Sequence, residues 1–432
     1  MSNNSNIKKN GNERMFPLIR CVQQNIKTPS IADVGSELNG KLDEFGLKNS
    51  VKPNDTVAIT AGSRGINHLD TILKALVDYL KELKTSPFII PAMGSHGGGT
   101  VEGQLQILND YGITEENMGC PIKASMDVVE IGESEFGYPV YLDKYAASAD
   151  KIIVVNKIKS HSKFLGDVES GLCKMSLIGL GKHKGAKLYH RLIDHYSWPR
   201  VIKSLLKVIL KNVPIICGIA IIQNINNEPA QLHVLHPDEF LTKEPELLRS
   251  YKDLTEHLPF KEIDLLIVDE MGKNIFGTGM DTNITGRKEG SNMQVRWLFV
   301  RDLTEESHGN AQGVGLADFT TKKLVDKIDY TKTYTNALTA FRTDSPKIPV
   351  YFQNDKEVLN TIFDLAGVED PSTFRIIWIK NTLGLRKIIV SEYYFDQIEA
   401  RDNLSFIGDE EPIEFDSAGF LINSKKYWIE NK

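Results

Sequence analysis

Short, almost wholly apolar runs alternate with amphipathic stretches along most of the chain. Residues 57–60, 88–92, 151–156 and 213–222 are such runs. Continuous apolar runs of this length suit strands buried on both faces of a parallel sheet. Between them, Leu69, Ile72, Leu73, Leu76, Leu80 and Leu83 recur at helical spacing. Asn67 stands where an N-cap belongs, and Thr100 can cap a helix running toward Gly112. The stretch 170–195 reads as mostly helical, broken by Gly179, Gly181 and Gly185, and a further helix is predicted over 198–211.

The pattern then changes. Residues 226–258 are polar, Glu-rich and punctuated by proline, and read as a linker or peripheral segment. A second strand–helix series follows. It comprises 263–268, 295–300, a helical region over 311–328, then 348–352, a helix near 355–366, and 374–379. Strands alternating with helices predict an α/β protein: two α/β domains with mostly parallel sheets. The expected domains are 15–258 and 259–432, after a polar tail over 1–14 that reads as disordered. The active site is expected in the interdomain cleft.

Composition sets limits on function. The 432 residues carry a net charge of −6, which argues against a nucleic-acid surface. Cys21, Cys120, Cys173 and Cys217 form no CxxC pair, so neither a zinc ribbon nor a redox motif is present. The longest apolar run, about ten residues, is too short for a bilayer, and no secretory signal is visible. A cytoplasmic protein with no membrane partner is expected. Homo-oligomerisation is left open.

In parallel α/β sheets, ligands sit beyond the carboxyl ends of the strands. Four loops occupy that position. Ala61-Gly-Ser-Arg64-Gly65 offers a guanidinium suited to an anion. Gly94-Ser95-His96-Gly97-Gly98-Gly99 places a histidine beside glycines that let a ligand approach the backbone. Lys157-Ile-Lys-Ser-His161-Ser-Lys-Phe164 carries a second histidine among lysines that could equally be a solvated face. The 272–287 loop is dense in Gly, Asn, Asp and Thr and includes Lys273, Asp281, Asn283 and Arg287. Lys174 interrupts an apolar stretch, where a lysine either snorkels or is chemically used. His190 lies sixteen residues later and has no histidine at i±4, so no helical zinc pair is assigned. Taken singly, each of these residues also has a bland reading.

As a set, the loops resemble the nickel-pincer-nucleotide-dependent lactate racemase family, from about residue 55 to 195 and more weakly beyond. The family's Gly-Thr-His loop corresponds to Gly94-Ser95-His96, and its second histidine to His161. Its Lys-x-x-x-Pro-Gly segment corresponds to Lys174-Met-Ser-Leu-Ile-Gly179, with Ile178 in place of proline. Its nickel-ligating histidine corresponds to His190. Its Asp-x-x-Arg turn reads Ala61-Gly-Ser-Arg64, so the arginine is kept and the acid is lost.

The resemblance implies a racemase or epimerase acting by transient hydride transfer to a nickel-pincer nucleotide (nickel pyridinium-3,5-bisthiocarboxylic acid mononucleotide). It implies His96 and His161 as catalytic bases, Lys174 as covalent anchor and His190 as metal ligand. Arg64, Gly97 and Gly98 would lie along the cofactor, and cofactor-synthesis enzymes would be needed for loading. The family's second-domain Gln and Lys have no clear counterpart around 272–287. The expected substrate is therefore a 2-hydroxy acid other than lactate, with Arg64, Lys273, Asp281, Asn283 and Arg287 as candidate contacts. Two readings stand beside this one: a zinc-dependent hydrolase using the three histidines, and an inactive homologue that binds a nucleotide or hydroxy acid.

Overall fold

The computed structural model describes residues 15–26, 28–62, 66–161, 164, 166–255, 257–339 and 342–428. The expected tail over 1–14 and Arg64 lie outside them. The chain divides into one unit of residues 27–255 and another of 1–26 with 256–432.

In the 27–255 unit, five strands run in the order Ser86–Pro91, Thr56–Ala61, Lys151–Lys157, Ile215–Gln223, Pro229–Leu235. The first four are parallel and the last is antiparallel. Alternate residues of a strand point to opposite faces, and both faces here are covered. Val57, Ile59, Ile153, Val155, Cys217 and Ile219 pack on the side of helices Val34–Phe45 and Leu69–Glu82. Ala58, Ile90, Ile152, Val154, Ala220 and Ile222 pack on the side of Lys182–Tyr196 and Trp198–Asn212. That two-sided burial is why these strands read as unbroken apolar runs.

Two expectations need correction in this unit, and one element was unforeseen. The cap of Leu69–Glu82 is His68, in the left-handed region with no side-chain cap bond, while Asn67 donates to Glu228 at 3.0 Å. Thr100 does cap Val101–Asp110, accepting from the Gly103 N–H at 3.1 Å. The stretch read as a linker or peripheral segment holds the helix Phe240–Asp253 and also the edge strand Pro229–Leu235. Its proline opens the strand, where a missing N–H is tolerated, and one wet face hid the pattern. The antiparallel pair Val128–Glu133 and Pro139–Asp143 was not expected at all.

The other unit holds an eight-stranded sheet. Val350–Phe352, Phe319–Thr321, Gln294–Leu303, Glu262–Met271 and Ile376–Ile379 run parallel. Lys387–Ser391, Leu18–Gln24 and Leu404–Pro412 complete it in antiparallel fashion. Residues 15–26 thus belong with this sheet and not with the domain expected over 15–258. The helix expected over 311–328 is instead a 3₁₀ turn at Val314–Leu316, a short strand at Phe319–Thr321 and a helix at Lys322–Asp326. Gly313, at φ 98°, and Gly315 explain the break. A Cβ on Gly315 would stand 2.4 Å from the Asp344 carbonyl oxygen.

No described helix is long and apolar enough to cross a membrane, and the four cysteines are buried and unbridged.

At the sheet's centre Arg301 is held between Asp269 at 2.5 Å and the fully buried Asp355 at 2.6 Å. Removing one partner of a buried pair strands the other charge. Arg301→Met is therefore expected to cost about 3–5 kcal/mol in guanidinium unfolding. An unchanged midpoint would show the pair to be dispensable.

Candidate active site at the carboxyl rim of the five-stranded sheet

Parallel strands deliver their carboxyl ends to one rim. Thr56–Ala61 ends there in Gly62, Ser86–Pro91 in the loop carrying His96, and Lys151–Lys157 in the loop carrying His161. The segment bearing Lys174 crosses the same rim. It is a helical turn at Leu172–Lys174, a π-turn at Met175–Gly179 and then the helix Lys182–Tyr196 that carries His190. The helix read from the sequence is this composite; it is broken near Gly179 and Gly181 as expected, whereas Gly185 lies within the continuous helix Lys182–Tyr196. π-turns within helices recur at functional sites.

Close backbone approach holds the segment in place. A Cβ on Gly179 would stand 2.5 Å from Met175 Sδ and 2.7 Å from the Ala92 carbonyl oxygen. Gly94, at φ 59°, donates its N–H to the Gly179 carbonyl at 3.3 Å. A Cβ on Gly171 would collide with Glu244 Oε1 at 2.2 Å, while the Gly171 carbonyl accepts from Asn156 Nδ2 at 2.7 Å. No larger residue fits at Gly171 or Gly179 without moving the rim.

Three of the expected residues gather around one ring. Phe164 is fully buried. His161 stacks on it at 4.2 Å between centroids and Trp198 stacks at 4.2 Å, both at 11°. His190 lies at 5.6 Å, and Lys174 Nζ is 5.3 Å from the ring centre. Lys174, His161 and His190 are each partly exposed. His96 is tied in differently, through Gly94 to the π-turn and through its own carbonyl to Gln104 at 3.3 Å. Gly97 and Gly98 follow it in left-handed conformations, and a Cβ on Gly98 would meet only open space.

Hydrogen bonding defines the state of His161. The Phe164 N–H donates to His161 Nδ1 at 3.1 Å. The neutral ring then carries its proton on Nε2. The His161 N–H donates to the buried Glu169 at 2.7 Å, and Glu169 also accepts from Lys252 at 3.0 Å. Beside the turn that carries Lys174, Glu244 accepts from the Cys173 N–H at 3.0 Å. Burial pushes its carboxyl up to about 7, against partial relief from the Cys173 and Leu172 hydrogen bonds. Burial likewise pushes the Lys157 ammonium down to about 8, with the Lys159 charge adding to the effect.

The candidates of the 272–287 loop bond to their own loop and its neighbours. Lys273 donates to Asn336 at 2.8 Å, and Asp281 accepts from the Asn283 side chain at 2.8 Å. Arg287 engages Asp318 at 2.5 Å and the Val295 carbonyl at 2.7 Å. Its guanidinium ties the loop to Val295 and Asp318.

Sequence reading passed over Phe164, Gln104, Lys182, Glu169 and Glu244. Only Lys182 left a signal, as a charge within the glycine-rich run Leu180-Gly-Lys182-His. Among the described residues, no group of three or more His, Cys, Asp or Glu gathers as metal ligands. An amine and two imidazoles beside one buried ring suit a cofactor that is anchored covalently and brings most of its own metal donors.

Residues 12–197 match the family model of the lactate racemase N-terminal domain. That stretch is similar to the N-terminal domain of lactate racemases. Among solved structures, it is similar to the lactate racemase apoprotein from Thermoanaerobacterium thermosaccharolyticum. The identity is 12%, the TM-score 0.50, and the match covers 83% of this chain and 84% of that one. At that identity the likeness concerns the fold. No curated protein sequence matches. The lactate racemase-like stretch contains His96, His161, Lys174 and His190, whereas Glu244 and the 272–287 loop lie outside it.

Two measurements probe these surroundings. A carboxyl held near 7 in the fold and at the ordinary 4.5 when unfolded keeps its proton longer in the folded chain. Its contribution is full below about 4.5, falls as pH rises and is lost above about 7. Glu244→Gln should flatten the loss of stability between pH 4.5 and 8 by up to about 3 kcal/mol; parallel curves for the two proteins would refute the burial effect. Nitrogen-15 NMR of neutral His161 should show an unprotonated Nδ1, and a protonated Nδ1 would contradict the Phe164 bond.

Proposed function

We propose that the chain is a racemase or epimerase of a 2-hydroxy acid other than lactate, working with a nickel-pincer nucleotide. The observation that carries this reading is the convergence of Lys174, His190 and His161 on Phe164, inside the lactate racemase-like stretch.

The Lys174 amine is the anchor, and the His190 imidazole is the protein's nickel ligand. When bound, the nickel-pincer nucleotide supplies a reversible acceptor for the hydrogen on C2 of the substrate. The residues of the chain handle the hydroxyl proton and the carboxylate. Enantiomers bound at one carbon direct their hydroxyl groups differently, so each direction needs its own proton acceptor. Imidazole exchanges protons near neutral pH, and His96 and His161 serve the two faces.

The two histidines do not start alike. His161 presents an Nε2–H donor, and to accept a proton it must release the Phe164 N–H from Nδ1 or deliver the Nε2 proton first. The Phe164–Trp198 stack keeps water from one side of His161. Lys157 at the strand end, and Arg64, are the cations suited to the substrate carboxylate or the cofactor phosphate. The zinc hydrolase reading draws no support from the described residues, which hold no three-ligand group.

Expression together with cofactor-synthesis enzymes tests the proposal. Intact mass should show an adduct on Lys174 with about one nickel per chain. His190→Ala should keep the adduct and lose the metal. His96→Ala and His161→Ala should load normally and lose turnover. In deuterated water, NMR across a panel of 2-hydroxy acids should show epimer formation without deuterium at C2. Zinc with no added mass would favour the hydrolase, an adduct without turnover would favour the inactive binder, and full activity in the His96→Ala, His161→Ala double variant would sink the two-histidine assignment.

A further inference from the structure

Behind the His96 loop lies a buried polar chain. Lys182 is fully buried and adopts φ 54°, a conformation that residues with a Cβ rarely hold unless their surroundings impose it. Its Nζ donates to the Pro91 carbonyl at 2.7 Å and to Gln104 Oε1 at 2.6 Å, and lies 3.7 Å from Asp143 Oδ2. Gln104, also fully buried, donates from Nε2 to the Gly94 carbonyl at 3.1 Å and the His96 carbonyl at 3.3 Å. An ammonium only donates, so it turns the amide oxygen of Gln104 toward itself and the amide nitrogen toward the loop. Asp143 closes the other end. Its Oδ1 caps Lys144–Ala147, and its N–H donates to the Leu180 carbonyl at 2.7 Å.

We propose that Lys182 and Gln104 are positioning residues that set His96 against the segment carrying Lys174 and His190. Three facts lead there. First, His96 is followed by Gly97, Gly98 and Gly99, all at positive φ, so the loop has little stiffness of its own and needs an outside tie. Second, Gln104 grips the carbonyl of His96 itself. Third, Lys182 stands midway in sequence between Lys174 and His190, eight residues from each, so one side chain links the proposed cofactor mount to the proposed base. A buried ammonium is costly to keep where an apolar side chain would fill the same space. The orienting of Gln104 is a reason for its presence. This inference rests on the racemase reading for the role of His96, but not for the geometry of the tie.

Gln104→Leu removes both ends of the tie. Gln104→Glu keeps an acceptor for Lys182 and removes the donor to the loop. Lys182→Met acts from the other end. Hydrogen–deuterium exchange of the full chain, without cofactor, is read on peptides spanning 92–100 and, as a control, on the strands at 57–61 and 151–157. All three variants should speed exchange in 92–100 by about tenfold, the worth of one or two hydrogen bonds, with the strands unchanged. In cofactor-loaded protein the Lys174 adduct and nickel should remain, kcat should fall about tenfold, and KM should move far less.

Unchanged exchange at 92–100 in the Gln104 variants would overturn the tie. Exchange rising equally in the strands would reduce it to a purely structural role. If no adduct forms on Lys174, the racemase reading fails while the exchange result still decides the tie.

Discussion

The π-turn at Met175–Gly179 rests on the end of the Ser86–Pro91 strand with backbone against backbone. Gly179 has no room for a methyl group beside the Ala92 carbonyl, and Gly94 returns a hydrogen bond to Gly179. Interiors are packed closely enough that one added carbon at such a point must displace an element. The elements that would move are those carrying His96 on one side and Lys174 and His190 on the other. The site therefore depends on a contact that contains no catalytic group.

Around that contact the chain buries charge to an unusual degree. Lys182 and Asp143 lie behind the His96 loop, Glu244 beside the Lys174 turn and Glu169 under His161. In a medium of low dielectric an unpaired polar group is expensive, so each such group fixes the orientation of its partner strongly. Glu244 gives this its clearest form. One carboxyl oxygen receives the Cys173 N–H, and the other faces Gly171 so closely that a side chain there would have to displace it. The turn leading into Lys174 is aimed by a residue some seventy positions later in the chain. The aromatic stack of His161, Phe164 and Trp198 fixes the plane of the imidazole, and the Phe164 N–H bond to Nδ1 fixes which way round it sits.

Much of this was legible as pattern. The strands buried on both sides announced themselves as apolar runs, and the helix Leu69–Glu82 as a spacing of leucines. The histidine loops were placed correctly because a parallel sheet has only one carboxyl rim. Elements with one wet face were not legible. Pro229–Leu235 was hidden in a stretch read as a linker or peripheral segment, and Leu18–Gln24 gave no sign that it pairs with strands nearly four hundred residues away. The bonds of Arg287 to Asp318 and Val295 were not legible either, because a guanidinium in a glycine-rich loop carries no mark of its partners.

By itself, the sequence determined the class of fold, the order of the candidate residues and their spacing, since these follow from local periodicity and from the chemistry each side chain carries. Only the tertiary structure decided which residues meet. Phe164 as the shared ring, Gln104 as the grip on His96, and Lys182 and Glu244 as buried charges depend on burial and on partners distant in the chain. A side chain's surroundings, rather than its type, set its proton affinity and its orientation, and no local pattern encodes surroundings assembled from separate strands.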